Sequence, residues 1–186
     1  MRTLSRPLAV VAALALVAAS AAAAQRPQTR QGFWIGFGFG YGSAGLSCDG
    51  CGSIDREGAV SGYLKLGGTL SPKVLLGGET NGWTKDIGGS TVTLGNASLA
   101  AYFYPQPAGG LYLRGGVGVA SYAEEGIDSQ TGFGLTFGVG YDVRVGNNVS
   151  ITPVGNFNWG SVGDLDAEVR GLKQNVFQLA VGVTFH

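Results

Sequence analysis

The chain has 186 residues, with 12 basic and 12 acidic side chains, a single histidine and 34 glycines. This length suits one domain, and the balanced charge argues against a nucleic-acid partner. The glycines are interspersed with Val, Phe, Tyr and Thr, a composition typical of many strands and turns rather than of a disordered linker.

The N-terminus predicts a secretory signal peptide over residues 1–24. Arg2 and Arg6 precede a long apolar run, and the alanines that end it fit a cleavage site. The alternative, a transmembrane anchor, is disfavoured by that alanine-rich composition and by the cleavage site. Residues 25–31 are then a short periplasmic segment, and residues 32–186 form the domain.

Eight segments alternate large apolar residues with small or polar ones, the two-residue period of a β-strand. In the last of them Phe177, Leu179 and Val181 share one face, whereas Gln178 lies on the other. In the fourth, a bulge near Gly95 would reconcile a change of phase. The segments are residues 32–42, 59–68, 74–83, 91–104, 111–122, 133–145, 149–159 and 175–186.

The connections between these segments alternate in length. Residues 70–72, 105–110 and 146–148 are short turns, and the intervening connections are longer loops, which hold 10 of the 12 acidic residues. The alternation and the even strand count predict an all-β, eight-stranded antiparallel up-and-down transmembrane barrel, with both termini at the periplasmic end. The longer loops are residues 43–58, 85–90, 123–132 and 161–173.

Aromatic residues near the strand ends predict two interfacial girdles, one at each membrane surface. The loop-end girdle would contain Tyr41, Trp83, Tyr122 and Trp159, and the turn-end girdle Trp34, Phe103, Tyr104, Tyr112, Tyr141 and Phe185.

The chain resembles the small eight-stranded outer-membrane barrels of Gram-negative bacteria, the opacity-protein and OmpA-like group. The resemblance rests on the Gly/aromatic alternation of the first segment, on residues 111–118 and 151–153, and on the terminal residues 182–185. It implies a barrel surrounded by outer-membrane lipids and lipopolysaccharide and delivered by periplasmic chaperones to the barrel-assembly machinery. Family members usually end on an aromatic insertion signal; here Phe185 is followed by one further residue, His186.

Catalytic chemistry is not predicted. His186 lies at the periplasmic terminus, where it cannot act as a base for a nucleophile in the upper barrel. We therefore expect no enzyme activity, cofactor or metal site. Cys48 and Cys51 lie in the first long loop, where an oxidising compartment favours a disulfide over free thiols. A zinc site is the third alternative, but one cysteine pair does not supply four ligands.

The polar faces of the strands place five side chains in the predicted lumen: Lys65, Glu79, Arg114, Asp142 and Gln178. Because an eight-stranded barrel is just wide enough to be filled by side chains, we predict a plug of ion pairs. The alternative is a narrow ion path through the space left by inward glycines. If the first short turn centres on Ser71, Tyr63 faces Glu79 and Lys65 lies diagonal to it.

We predict a non-enzymatic protein of the cell outer membrane with a structural or surface-interaction role. Its barrel would anchor four acidic extracellular loops, and we expect a monomer. One alternative is a narrow pore or transporter for ions or small hydrophobic molecules. A second is a soluble periplasmic lipid-binding barrel with its large apolar residues turned inward.

Overall fold

A computed structural model describes residues 30–51, 55–164 and 169–186, so the predicted signal peptide lies outside the described residues. Within these ranges no helix is long and apolar enough to cross a membrane. The strands are β1 (Phe33–Asp49), β2 (Glu57–Ser71), β3 (Val74–Ile87), β4 (Ser90–Phe103), β5 (Leu111–Glu124), β6 (Ile127–Tyr141), β7 (Val143–Arg144), β8 (Val149–Gly163) and β9 (Arg170–Phe185).

The strands form one closed antiparallel sheet. Each of β1 to β5 pairs with the next strand in the chain, β8 pairs with β9, and β9 returns to β1. Both β6 and the short β7 pair with β8, so together they form the sixth wall strand, which is interrupted at Asp142. The predicted eight-stranded barrel is therefore confirmed.

The strands extend further into the predicted loops than the sequence suggests. β1 continues to Asp49, and β3 and β4 are joined by Gly88 and Gly89 alone. These glycines have φ values of 62° and 92°, which a two-residue hairpin turn of this kind requires. Since period-two patterning fades outside the membrane, the sequence marks only the apolar part of each strand.

The two faces of the sheet are oriented as the strand patterns predict. Phe39 and Leu179 on the outer wall are 73% and 64% exposed, whereas Thr136 and Thr152 on the inner wall are fully buried. An outer wall covered with large apolar side chains is unfavourable in water. The alternative of a soluble barrel with its large apolar residues inside is therefore wrong.

The predicted bulge near Gly95 is absent. β4 keeps an unbroken register with both neighbours, in which Gly95 opposes Gly82 on one side and Ser121 on the other. Val92 and Leu94 therefore stay on the inner face, and both are buried. The change of phase in the sequence reflects a lumen that becomes apolar toward the loops.

The register of β2 and β3 differs from the expected one by two residues. Lys65 is directly opposite Glu79, and Tyr63 opposes Asn81, so the predicted Tyr63–Glu79 pair is wrong. The register shifts between Thr69 and Ser71, at the end of β2. This irregularity in the turn, rather than the strand patterns, sets which side chains meet.

The aromatic girdles are only partly confirmed. Tyr41, Phe103 and Phe185 are exposed on the outer wall near the strand ends. Five other residues of the predicted girdles are buried inside the barrel instead: Trp34, Tyr104 and Tyr112 at the turn end, and Trp83 and Tyr122 at the loop end. Proximity to a strand end had suggested an interfacial position, but strand parity turns these rings into the lumen.

Candidate functional site in the barrel lumen

The lumen contains three layers of side chains, which we name by position. The turn-end cluster consists of Arg30, Tyr104, Asp142, Thr152 and His186. The central network consists of Lys65, Glu79, Tyr102, Tyr112 and Arg114. The loop-end cup is lined mainly by Ala44, Leu46, Trp83, Val92, Leu94 and Tyr122.

Glu79 is the centre of the central network. It forms an ion pair with Arg114, and the two side chains are 0% and 3% exposed. The Tyr102 hydroxyl donates to the same carboxylate oxygen, and Asn81 Nδ2 donates to the other oxygen at 3.4 Å. A buried carboxylate is tolerated only when partners replace its lost hydration, and Glu79 has three.

Lys65 is stabilised largely by aromatic rings. Its ammonium donates to the Tyr112 hydroxyl at 3.3 Å and lies 4.9 Å from the centroid of that ring. The Tyr102 centroid is 5.4 Å away, and the centroids of Trp34 and Tyr63 are each 5.9 Å away. Such cation–π contacts favour a desolvated ammonium, so Lys65 and its rings fill the middle of the barrel.

Inward glycines make room for these large side chains. A Cβ atom at Gly36 would lie 2.7 Å from Lys65 Cε, and one at Gly138 would lie 2.7 Å from Arg114 Nε. The space that the glycine-rich strands leave is thus occupied by the central network. This packing favours the plug over a continuous ion path.

The turn-end cluster is built around Asp142, at the break between β6 and β7. Its carboxylate accepts hydrogen bonds from the Tyr104 hydroxyl at 2.9 Å and the Thr152 hydroxyl at 2.8 Å. His186 Nε2 lies 3.3 Å from the same carboxylate, and Arg30 Nη2 lies 3.7 Å from it. Asp142 therefore joins the two ends of the described chain.

Arg30 closes the turn end of the lumen. Its guanidinium stacks on Tyr104, 3.5 Å from the ring centroid, and donates to the backbone oxygens of Pro107 and Gly109 at 2.9 and 2.7 Å. Sequence reasoning placed Arg30 in a short periplasmic segment and missed this role. The period-two pattern gives no signal for a residue that precedes the first strand.

Gln178 separates the central network from the loop-end cup. Its side-chain oxygen accepts a hydrogen bond from Asn156 Nδ2 at 2.6 Å. Above it, Asn81, Asn96 and Asn158 surround a cavity of about 10 Å³. This volume holds about one water molecule, and the surrounding amides can serve as its partners.

The loop-end cup is an apolar cavity of about 280 Å³ with an acidic rim. Trp83 forms one wall, held by a 3.0 Å hydrogen bond from its Nε1 to the Gly42 oxygen. Tyr122 forms another and donates to the Glu124 carboxylate at 2.6 Å. Asp55 and Glu57 complete the three carboxylates of the lining.

The remaining predicted site residues lie at opposite ends of the wall. Cys48 and Cys51 have sulfur atoms within disulfide bonding distance, with Cα atoms 5.2 Å apart at the loop end. Phe185 ends β9 at the turn end, opposite Ile35 of β1 and Val149 of β8. Among residues 30–51, 55–164 and 169–186, no three His, Cys, Asp or Glu side chains come together as a metal site.

A closed barrel with an apolar outer wall and polar side chains packed across the middle of its lumen defines a transmembrane β-barrel protein. The sequence matches the family model of the outer membrane protein β-barrel domain over residues 9–185. The chain therefore belongs to this family, and its location is the outer membrane. It lies among outer-membrane lipids, including lipopolysaccharide.

Solved structures of small outer-membrane barrels share the fold. Neisserial surface protein A has 14% sequence identity and a TM-score of 0.56, covering 85% of this chain and 99% of its own. Ail, the attachment invasion locus protein of Yersinia pestis, has 16% identity and a TM-score of 0.53, covering 84% and 100%. No curated protein matches the chain in sequence.

Proposed function

We propose that this protein is a non-enzymatic structural barrel with a closed lumen, whose loop end interacts with cationic partners at the cell surface. The central network carries the proposal. The lumen at mid-height is occupied by Glu79, Arg114 and Lys65, which is enclosed by aromatic rings. Side chains therefore stand where an aqueous path between the two ends of the barrel would have to pass.

Charge at the loop end supports a surface-interaction role. Eight described acidic residues lie there beside four basic ones, an excess of negative charge that attracts cations. The basic residues are Arg56, Lys85, Arg170 and Lys173. The acidic residues are Asp49, Asp55, Glu57, Asp86, Glu124, Glu125, Asp128 and Asp164; Asp166 and Glu168 lie outside the described residues.

The position of the single histidine supports a non-enzymatic role. His186 is held at Asp142 in the turn-end cluster, at the opposite end of the barrel from the loops. A general base must reach its nucleophile within hydrogen-bond distance, and this geometry separates His186 from the loop-end hydroxyls and carboxylates of the described residues.

The proposal also covers maturation. We propose cleavage of residues 1–24, delivery by periplasmic chaperones and recognition of Phe185 by the barrel-assembly machinery. Oxidation of Cys48 and Cys51 to a disulfide follows in the same compartment. The product is a monomer, because the closed sheet leaves no free strand edge in the wall.

Planar-bilayer recordings test the closed lumen. The refolded wild-type barrel should show little or no steady current at moderate voltage. Glu79→Gln removes the carboxylate that pairs Arg114, so a variant that still inserts should show more frequent openings. A large, steady, ion-selective conductance from the wild-type barrel would contradict the proposal and favour the narrow pore.

A second candidate is a transporter for small hydrophobic molecules, and the apolar loop-end cup is the observation in its favour. Transport would require a solute in the cup to displace the central network. Lipid vesicles that contain the barrel should then take up a small aromatic solute faster than empty vesicles. Equal rates of uptake would leave the structural role as the better account.

A further inference from the structure

We propose that the loop-end cup binds a small organic cation with an apolar, aromatic-sized body, such as an aryl ammonium. The inference rests on the proposed attraction of cations to the loop end, and it is independent of conduction because the cup lies above the central network. It assigns a ligand chemistry to a cavity inside the barrel mouth rather than to the loops as a whole.

The apolar body of the ligand follows from the walls of the cavity. Trp83, Val92, Leu94 and Tyr122 are buried, yet together with Ala44 they enclose about 280 Å³. This volume is close to the lower end of the range for small-molecule sites, about 300 Å³. An apolar group placed there would replace water in contact with these side chains.

The positive charge of the ligand follows from the rim. The lining contains the carboxylates of Asp55, Glu57 and Glu124. The Lys85 ammonium pairs with Glu57. Within residues 30–51, 55–164 and 169–186, neither Asp55 nor Glu124 pairs with a cation, and the Glu124 carboxylate accepts a hydrogen bond from the neutral Tyr122 hydroxyl. Both carboxylates can therefore compensate the charge of a ligand.

The aromatic walls favour the same charge. Trp83 and Tyr122 lie on the same cavity as the carboxylates, and the faces of such rings attract cations within about 6 Å of their centroids. Carboxylates and aromatic faces both disfavour an anionic ligand. The combination of an apolar floor, aromatic walls and an acidic rim therefore selects an organic cation over a lipid phosphate or a sugar sulfate.

Nuclear magnetic resonance of the whole barrel in phosphatidylcholine nanodiscs provides a site-resolved test. The chain has three tryptophans. Trp83 lies in the cup, Trp34 in the central layer and Trp159 on the outer wall. Titration with benzyltrimethylammonium should give a saturable shift of the Trp83 indole N–H signal, whereas benzenesulfonate at equal concentration should not.

Two glutamates that are adjacent in sequence provide matched variants. Glu124→Gln removes a rim charge and should weaken binding by about fivefold, the effect of one partly exposed charge contact. Glu125→Gln makes the same change on an exposed side chain outside the cavity lining and should leave binding unchanged. Val92→Phe should narrow the cup and weaken the binding seen at Trp83, while the signals of Trp34 and Trp159 stay in place.

Three results would overturn the inference. The first is no shift at Trp83, as expected if another segment of the chain fills the cup. The second is an equal, unsaturable shift at Trp159, which would indicate partition into lipid alone. The third is an equal response to benzenesulfonate, which would show that the rim exerts no charge selection.

Discussion

The two halves of the lumen differ in chemistry and in packing. The turn half, which comprises the turn-end cluster and the central network, contains the charges of Glu79, Arg114 and Asp142, and each is almost completely buried. The loop half is the loop-end cup. The loop half is apolar, with Trp83 and Leu94 around a cavity. The difference shows that one closed wall supports a tightly packed plug at one end and an open recess at the other.

The two halves differ in the interactions that stabilise their buried side chains. Buried charges depend on nearby partners, and the loss of one partner leaves a charge uncompensated at a large energetic cost. Apolar side chains have no directional hydrogen bonds to satisfy. When they line a recess that is open to solvent, they lose only the free energy of the missing packing contacts. We expect the turn half to dominate stability and the loop half to tolerate change.

The largest expected effect is a difference in the free energy of unfolding between two variants, each with one substitution in one of the halves. Glu79→Gln should destabilise the barrel by about 3–5 kcal/mol, because it leaves buried Arg114 without its counter-charge. Glu124→Gln, on the rim of the cup, should cost at most about 1 kcal/mol, the value of one partly exposed hydrogen bond.

Urea titrations of refolding into lipid vesicles, followed by tryptophan fluorescence, measure both free energies of unfolding. Equal losses in the two variants would remove the distinction between a rigid turn half and a tolerant loop half.

The next effect concerns the wall that both halves share. Val117 lies in the middle of β5, opposite Leu99 and Leu135 of its neighbours, and faces outward. Val117→Arg should cost about 2–4 kcal/mol at the bilayer midplane, whereas Leu70→Arg at the end of β2 should cost about 0–1 kcal/mol.

The same refolding titration in lipid vesicles compares the two arginine variants. If Leu70→Arg were as damaging as Val117→Arg, depth in the bilayer would not determine the cost, and the assigned position of the apolar belt would be wrong.

The smallest effect should come from the cysteines at the loop end. A bond between Cys48 and Cys51 closes a very short loop, so its loss in a Cys48→Ser, Cys51→Ser double variant should cost at most about 2 kcal/mol. Maleimide labelling before and after reduction checks that the bond exists. Labelling of the untreated protein would show free thiols instead, and a loss far above this value would mean that the loop half is less tolerant than its packing suggests.

The sequence by itself determined the faces of the wall. Lys65, Glu79, Arg114 and Gln178 could be placed inside the barrel because the alternation of side chains along a strand is a local property of the backbone. The strand count and the closed antiparallel order followed from the same period and from the spacing of the turns.

The partners of those residues required the tertiary structure. Lys65 opposes Glu79 because of an irregularity at the end of β2, which no strand pattern reveals. Val92 and Leu94 lie on the inner face of β4 without a bulge. Because the inner surface is apolar at that end, the sequence looked as if the alternation of apolar and polar residues had changed phase. In both cases the two-residue period of the strand determines which face of the wall a side chain lies on, but it does not determine which residues that side chain contacts.

The closing of the sheet into a barrel determined the remaining contacts in the lumen. Arg30 and His186 lie at opposite ends of the described chain. His186 reaches Asp142 across β8, whereas Arg30 reaches it only because β1 and β9 become neighbours when the sheet closes. A contact across such a separation is set by the number of strands and their registers together. The local sequence therefore specifies the wall of this protein, and the closure of the barrel specifies what its lumen contains.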